Sequence, residues 1–300
     1  MKGNLFLGHG RGAVGDIVFS RVRGQQIARA RNRQPHDRKS YSQEGIRASF
    51  SSAAKFFSLL PSKLLQFAFE FKGGKSSDYN AFIKENYDKG CMLTAEQFSD
   101  PTFFPYGEFV TSAGSLRAVV ISSVGDENLL SFPGSFQAGL ACDTWGELSD
   151  ALIAEGGYQT GDFLTFCYVS NGLSNSQIES MDFLQPCPSA STLIKQLIVD
   201  ASDTRSMESL DFLGADSRKG AIDLVVDTLT LPFEWDSYGM FVIHSRKVKG
   251  GVLSSDSMIK WSGPIYSKAI DVMKNPNYER EVKRARGAVN QSILDGSYYE

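Results

Sequence analysis

The sequence predicts an α+β fold: an N-terminal β-hairpin and helical segment, then a mainly antiparallel β-sandwich-like body, then a C-terminal helix. Three observations carry that expectation. Apolar residues recur at helical spacing between Ser40 and Lys89, and again after Pro276. From about Thr94 onward, short β-branched and aromatic segments bounded by Gly, Asn, Asp or Pro follow one another with few helices between them, which suggests an antiparallel sandwich rather than a parallel α/β sheet. Between Gly15 and Arg33, two strand-like segments flank Arg23-Gly24. The domain limits that follow are 1–93 for a basic hairpin plus helices, 94–274 for the β-rich body and 275–300 for an amphipathic helix.

In the hairpin, Ile17, Val18 and Phe19 begin one strand and Gln25 to Arg33 alternate regularly in the other. Successive side chains of a strand point to opposite faces, so Arg29, Arg31 and Arg33 are expected as a row, each about 6.5 to 7 Å from the next. That spacing approaches the phosphate repeat of an extended nucleic-acid strand, and guanidinium binds phosphate through paired hydrogen bonds. The candidate nucleic-acid-binding set is Arg11, Arg21, Arg23, Arg29, Arg31, Arg33, Arg38 and Lys39. Two other roles suit the same row: contact with a neighbouring subunit, and a solvated edge strand whose charges discourage sheet-to-sheet aggregation.

After the hairpin, Ser40 and Gln43 form a capping box for a helix. Its Ile46, Phe50, Ala53, Ala54, Phe57 and Leu60 make one apolar face, expected to pack on the hairpin, until Pro61 interrupts. Residues 61–71 read as a second short helix and 77–89 as a third, stopped by Gly90. Body strands are expected at 108–111, 116–123, 136–141, 162–169, 193–199, 222–231, 239–248 and 257–261. One helix intervenes at 145–155, begun by a Thr144/Glu147 capping box, and reads as a cover over an open sheet end. Pro276 suits a first helical position, and Tyr278, Val282, Ala285, Val289 and Ile293 then make a stripe that docks on the body or on a neighbouring subunit. Arg280, Lys283, Arg284 and Arg286 surround that stripe as a solvated face or a second polyanion contact.

Charge is divided unevenly. Residues 1–50 hold ten basic and three acidic side chains, a balance of +7; residues 51–300 hold 21 basic and 31 acidic ones, a balance of −10. A basic arm on an acidic body suits head-to-tail assembly or one-sided attachment to a polyanion. A hydrophobic content of 42% over 300 residues supports a substantial core. No apolar run reaches the roughly 18 to 20 residues that span a bilayer, and Leu5 to Leu7 are too short an apolar core for a signal peptide. No membrane contact is expected.

Catalytic patterns are weak. Gly8 to Gly12 with Gly15 resembles a phosphate loop in composition, but it precedes a strand instead of opening a helix and lacks the Gly-Lys-Ser/Thr ending. His9, His36 and His244 stand far apart, and Cys91, Cys142, Cys167 and Cys187 show no CxxC pairing, so no metal and no cofactor is expected and the cysteines read as buried thiols. There is no Gly-x-Ser-x-Gly elbow. Asp223 and Asp227 could line a cleft, though that spacing in a strand also describes its wet face.

The runs Gly12-Ala-Val-Gly-Asp-Ile-Val-Phe-Ser-Arg21 and Gly24-Gln-Gln-Ile-Ala-Arg-Ala-Arg31, with Gln43, Arg47 and a Phe-bearing helix, resemble an uncharacterised domain family of Bacteroidetes and their phages. The resemblance continues weakly through Tyr79-Asn-Ala-Phe82 and Glu108-Phe-Val-Thr-Ser-Ala-Gly-Ser-Leu116, covering about the first 120 residues. Residues 34–40 depart from it, since the family has an Asn-Pro-x-Thr link there. The resemblance implies no activity. Its phage context implies a virion component, assembled in the host cytoplasm, with itself, other virion proteins and packaged nucleic acid as partners. The expected function is therefore a non-enzymatic phage structural protein of the capsid or of a head- or tail-associated part, with a basic N-terminal arm contacting nucleic acid, DNA or RNA, or neighbouring subunits. The alternatives are a host-encoded binding module with an immunoglobulin-like sandwich and, behind it, an enzyme.

Overall fold

Two segments dictate the architecture. Phe163–Ser170 reads FLTFCYVS and Tyr238–Val248 reads YGMFVIHSRKV. Apolar residues at successive positions belong on a strand covered on both faces. A computed structural model of the chain describes residues 12–22, 25–33, 37, 39–61, 64–65, 68–70, 76–99, 105–124, 127–133, 142–170, 191–207, 214–218, 221–225, 238–262, 271 and 275–287. It is an α+β fold, with an N-terminal hairpin extended to three strands, antiparallel sheets and a C-terminal helix.

The chain opens with β1 (Gly12–Val14), β2 (Ile17–Val22) and β3 (Gln25–Ala30), an antiparallel ribbon in that order. Val14 pairs with Ile17 across Gly15-Asp16, and Gly15 takes φ +58°, a left-handed value that two-residue hairpin loops need and glycine adopts without strain. Helix α1 (Tyr41–Leu59) starts at Ser40, whose hydroxyl accepts from the Gln43 amide at 3.3 Å. Helices α2 (Asp78–Asn86), capped by Ser77, and α3 (Ala95–Ser99) follow. The described part of 61–71 is not the helix expected. Phe69 bridges Ala113, and the backbone of Ala68 and Glu70 bonds Ala113, which takes the groups a helix would need.

The body contributes β4 (Val110–Ser112), β5 (Val120–Val124), β6 (Glu127–Pro133) and α4 (Trp145–Glu155). It continues with β7 (Phe163–Ser170), β8 (Ser191–Ile198), β9 (Gly214–Arg218), β10 (Ala221–Val225), β11 (Tyr238–Val248), β12 (Gly251–Ser254), β13 (Ser257–Met258) and β14 (Lys260–Ser262). Thr144 and Glu147 form the reciprocal capping box expected for α4. One sheet runs β5-β6-β10-β9; the other runs β12-β11-β7-β8, with β14 also on β11. Strands β6, β9 and β12 were not among those expected, and the expected segments 136–141 and 226–231 lie outside the described residues.

The five-stranded sheet is the middle of three layers. Leu164, Phe166, Tyr168 and Val242 face Ile121, Leu130 and Phe132 of the smaller sheet, with Trp145, Leu148 and Leu152 of α4 closing that core. The alternate residues Cys167, Phe241 and Ile243 face Phe56 of α1, Phe82 of α2, Phe109 and Trp261. Phe56 stacks on Phe109 with centroids 4.4 Å apart. Cys91 and Cys167 are buried free thiols and Cys142 is a half-buried one, while Cys187 lies outside the described residues.

Helix α5 (Pro276–Ala285) packs on α1 of its own chain through Tyr278 and Val282 against Ala48. The Tyr278 hydroxyl donates to the Met92 carbonyl at 2.6 Å, and Arg286 donates to the Leu93 carbonyl at 2.7 Å and to Glu44 at 3.3 Å. Of the expected stripe, Ala285 is exposed, and Val289 and Ile293 lie outside the described residues.

The expected face of α1 holds in its second half, where Ala53 and Leu60 are buried and Phe57 packs on the core, and is corrected in its first. Ile46 is 60% and Phe50 40% exposed, whereas Glu44, Ala48, Ser52, Lys55 and Phe56 point inward. Polar groups enter because partners wait there: Lys55 donates to the Gln97 carbonyl at 2.6 Å and to that of Phe98 at 3.3 Å. Among the described residues α1 has α2, α3 and α5 as its main neighbours rather than the hairpin.

Candidate functional site

Two places concentrate chemistry, one exposed and one closed. The exposed one is the ribbon. Its register places Val14, Ile17, Phe19, Ala28 and Ala30 on one face, with Arg21 and Gln26 at its end, and Ala13, Val18, Ser20, Ile27 and Arg29 on the other. Val14, Ile17, Ala28 and Ala30 are exposed and Phe19 is half-buried on the first face; Ile27 and Arg29 are exposed on the second. A three-stranded ribbon ordinarily gains stability by laying one apolar face on something.

The arginine row is only partly formed. Strand β3 ends at Ala30, so the alternation that would project Arg31 and Arg33 beside Arg29 stops there. The Arg31 amide donates to the Asp16 carbonyl at 2.6 Å, and the Arg33 guanidinium turns to the Asp16 carboxylate at 2.5 Å. Physically, the Gly15-Asp16 loop sits opposite the end of β3 and offers a nearer anion than any partner would. Arg21 is exposed on β2, beside Gln26. Lys39 is exposed and takes φ +45°, its amide donating to Asp37 at 3.2 Å. Arg11, Arg23 and Arg38 lie outside the described residues.

The closed place is around Asp162, which precedes β7. Arg246 on β11 donates from Nε to Oδ1 at 2.7 Å and from Nη2 to Oδ2 at 2.6 Å, the two-pronged arrangement of a strong pair. The Gln159 amide adds a bond at 2.8 Å, and Nε2 of His244 lies 2.9 Å from Oδ2. Nδ1 of His244 donates to the Arg117 carbonyl at 3.0 Å, and the Tyr158 ring stacks on the imidazole at 4.5 Å. Burial pushes the Asp162 carboxyl up, but the Arg246 bonds, the His244 bond and the Gln159 amide together hold it well below the usual carboxylate range. Burial pushes the Tyr158 phenol up, and its hydroxyl meets no hydrogen-bonding group among the described residues.

Sequence reasoning passed over this cluster, because Asp162, His244 and Arg246 meet only through the β7–β11 pairing. Apart from the Tyr158 hydroxyl, the polar contacts described here lie within the cluster, which acts as an electrostatic pin holding the 157–162 loop to β11. Asp223 lies on β10, paired with Ser131 and Asp216, while Asp227 is outside the described residues.

A cavity of about 410 Å³ lies over the opposite face of the five-stranded sheet, lined by Leu64, Ala68, Ile194, Ile243 and Val252, with Lys247 the one charged group among the described residues. The Lys247 ammonium sits over the Phe163 ring, 4.7 Å from its centroid. Among the described residues no second titratable side chain joins it there, and no group of three His, Cys, Asp or Glu side chains could hold a metal ion. No helix among the described residues is long and apolar enough to cross a membrane.

Comparison with protein-family models, with curated proteins and with solved structures finds no match.

Proposed function

We propose that the chain is a non-enzymatic structural protein of a phage particle, in which the β-rich body is the building block and the N-terminal ribbon is an attachment arm. The observation that carries this reading is the ribbon itself: an ordered, basic, three-stranded element with uncovered apolar side chains on both faces. Uncovered apolar residues grouped on one element mark an interaction surface rather than ordinary exposure. Charge supports the same reading, since residues 1–50 carry +7 and residues 51–300 carry −10.

The neighbour favoured by this surface is a protein subunit. A phosphate backbone would use arginines in a row and leave Val14 and Ile17 wet; a protein surface uses the apolar side chains as well. Packaged nucleic acid is the rival partner. If it binds, log affinity falls with log salt, and replacing Arg29, Arg31 and Arg33 by Gln lowers the slope by roughly 2 to 3.

The test is incorporation. Full-length chain and a chain lacking residues 1–33 are supplied together during particle assembly, and both are counted in purified particles by mass spectrometry. The full chain enters and the shortened one is left out. Absence of the full chain from particles contradicts the structural reading, and equal incorporation of both contradicts the arm.

A further inference from the structure

The hydrogen bonds around His244 leave a neutral ring one proton short. A neutral imidazole donates from one ring nitrogen and accepts at the other. Both nitrogens of His244 face acceptors. Nδ1 lies 3.0 Å from the Arg117 carbonyl, which has no proton to give, and Nε2 lies 2.9 Å from Oδ2 of Asp162. Placing the second proton on the carboxylate fails, because Oδ2 already accepts from Arg246 at 2.6 Å and from the Gln159 amide at 2.8 Å, and Oδ1 accepts from Arg246 at 2.7 Å. The Tyr158 ring stacks on the imidazole with centroids 4.5 Å apart, a contact that favours a cation.

We infer that His244 is held as a doubly protonated imidazolium at neutral pH, and that it serves as a proton-operated clasp between the two sheets. Three pieces of chain meet at the ring. Strand β11 carries it, the 157–162 loop supplies Asp162, and residues 114–118, which lead into β5 of the smaller sheet, supply the Arg117 carbonyl.

Losing the proton undoes one side of the clasp. The Nε2 bond runs to an anion and the Nδ1 bond to a neutral carbonyl, so Nδ1 is the nitrogen that gives up its proton. Its lone pair then faces the Arg117 oxygen with no hydrogen between them, and the Arg117 end of the segment leaves β11. The other end stays anchored: the Gly114 amide donates to Asp256 at 3.0 Å and the Ser115 hydroxyl to Glu70 at 2.9 Å.

The groups around the ring make the proton removable. Among the described residues, Asp162 attracts it, while Arg246 and near-complete burial oppose it. The Arg117 side chain lies beside Gly157 and adds a second positive charge on the loop side. Tyr158 is a phenol that burial keeps neutral, and Leu164 of β7 and Ser255, whose hydroxyl accepts from the His244 amide at 3.1 Å, bring no charge. The sign follows from linkage. A closed form that binds the proton more tightly than the opened form is favoured at low pH, and its advantage is lost as pH rises.

The test follows the full-length chain, labelled at histidine with nitrogen-15, by NMR across pH, with His9→Gln and His36→Gln chains assigning the signals. At neutral pH both nitrogens of His244 are expected to carry protons, and on the alkaline side of its transition Nδ1 alone is bare. Across that transition the Leu116 amide, bonded to the Ser254 carbonyl at 2.9 Å, is expected to lose protection from exchange, corrected for its intrinsic rate. One linked proton sets that loss at up to about tenfold per pH unit. The Gly161 amide, bonded to the Val199 carbonyl at 2.8 Å on the Asp162 side, keeps its protection. A ring nitrogen without a proton at neutral pH overturns the imidazolium. Proton loss from Nε2 instead of Nδ1, or Leu116 exchange that does not share the midpoint of the ring, overturns the clasp.

Discussion

Arg246 and Arg33 both pair with an aspartate, at 2.6 and 2.5 Å, yet they belong to two different kinds of structure. In the Arg246–Asp162 pair the side chains are 17% and 1% exposed; in the Arg33–Asp16 pair they are 71% and 73% exposed. The first lies in the wall of a packed core and receives further bonds from Gln159 and His244. The second stands on a ribbon with little packed against it. Equal distances thus hide unequal energies, because water competes for one pair and is excluded from the other. The contrast extends to apolar residues: Phe56 and Phe50 lie on the same helix, one wholly buried and the other 40% exposed.

The strongest way to break this comparison is at Phe56, which touches the aromatic groups joining the helices to the central sheet. Phe56→Ala is expected to cost about 3 to 5 kcal/mol, read by denaturant unfolding, while Phe50→Ala costs below about 1 kcal/mol in the isolated chain. Equal losses would show that the outer side of α1 is already packed.

Close behind is Asp162→Asn, which strands the Arg246 guanidinium and is expected to cost roughly 3 kcal/mol or more. The same carboxylate sharpens the comparison through pH. Its folded-state pKa is depressed, so its contribution is fully present above the unfolded value of about 3.9 and is lost as pH falls below it. Wild-type stability should decline from about pH 5 downward, with a shallower decline in the Asn variant. Parallel acid profiles for the two proteins would contradict this account of the pin. The smallest effect is expected at the ribbon pair: Asp16→Asn should leave the melting temperature within experimental scatter, and a drop of several degrees would show that the loop is structurally anchored.

Much of the fold was legible where its causes are local. The Thr144/Glu147 box, Ser40 before α1 and Pro276 opening α5 each act on backbone groups a few residues away, and each was readable from spacing. Apolar runs bounded by turn residues also revealed β7 and β11. What escaped depends on partners distant in sequence. The side of α1 that turns inward is set by α3 and α5, which accept Lys55 and Glu44, so periodicity alone chose Ile46 and Phe50 wrongly. Asp162 and His244 are brought together by strand pairing that no local spacing announces. The arginine row failed for a shorter-range reason, since one loop aspartate was enough to redirect Arg33.

The central claim is that the ribbon is an uncovered element completed by another molecule, while the β7–β11 pair is complete in itself. Amide hydrogen exchange of the full-length chain, followed from dilute to concentrated solution, tests it most directly. Amides of β2 and β3 should exchange quickly when dilute, because an element with few buried contacts opens at little cost, and should gain at least about tenfold protection on concentration. Those of β7 and β11 should be strongly protected and unchanged throughout. Ribbon amides as protected as β7 in dilute solution, or unaffected by concentration, would contradict the account.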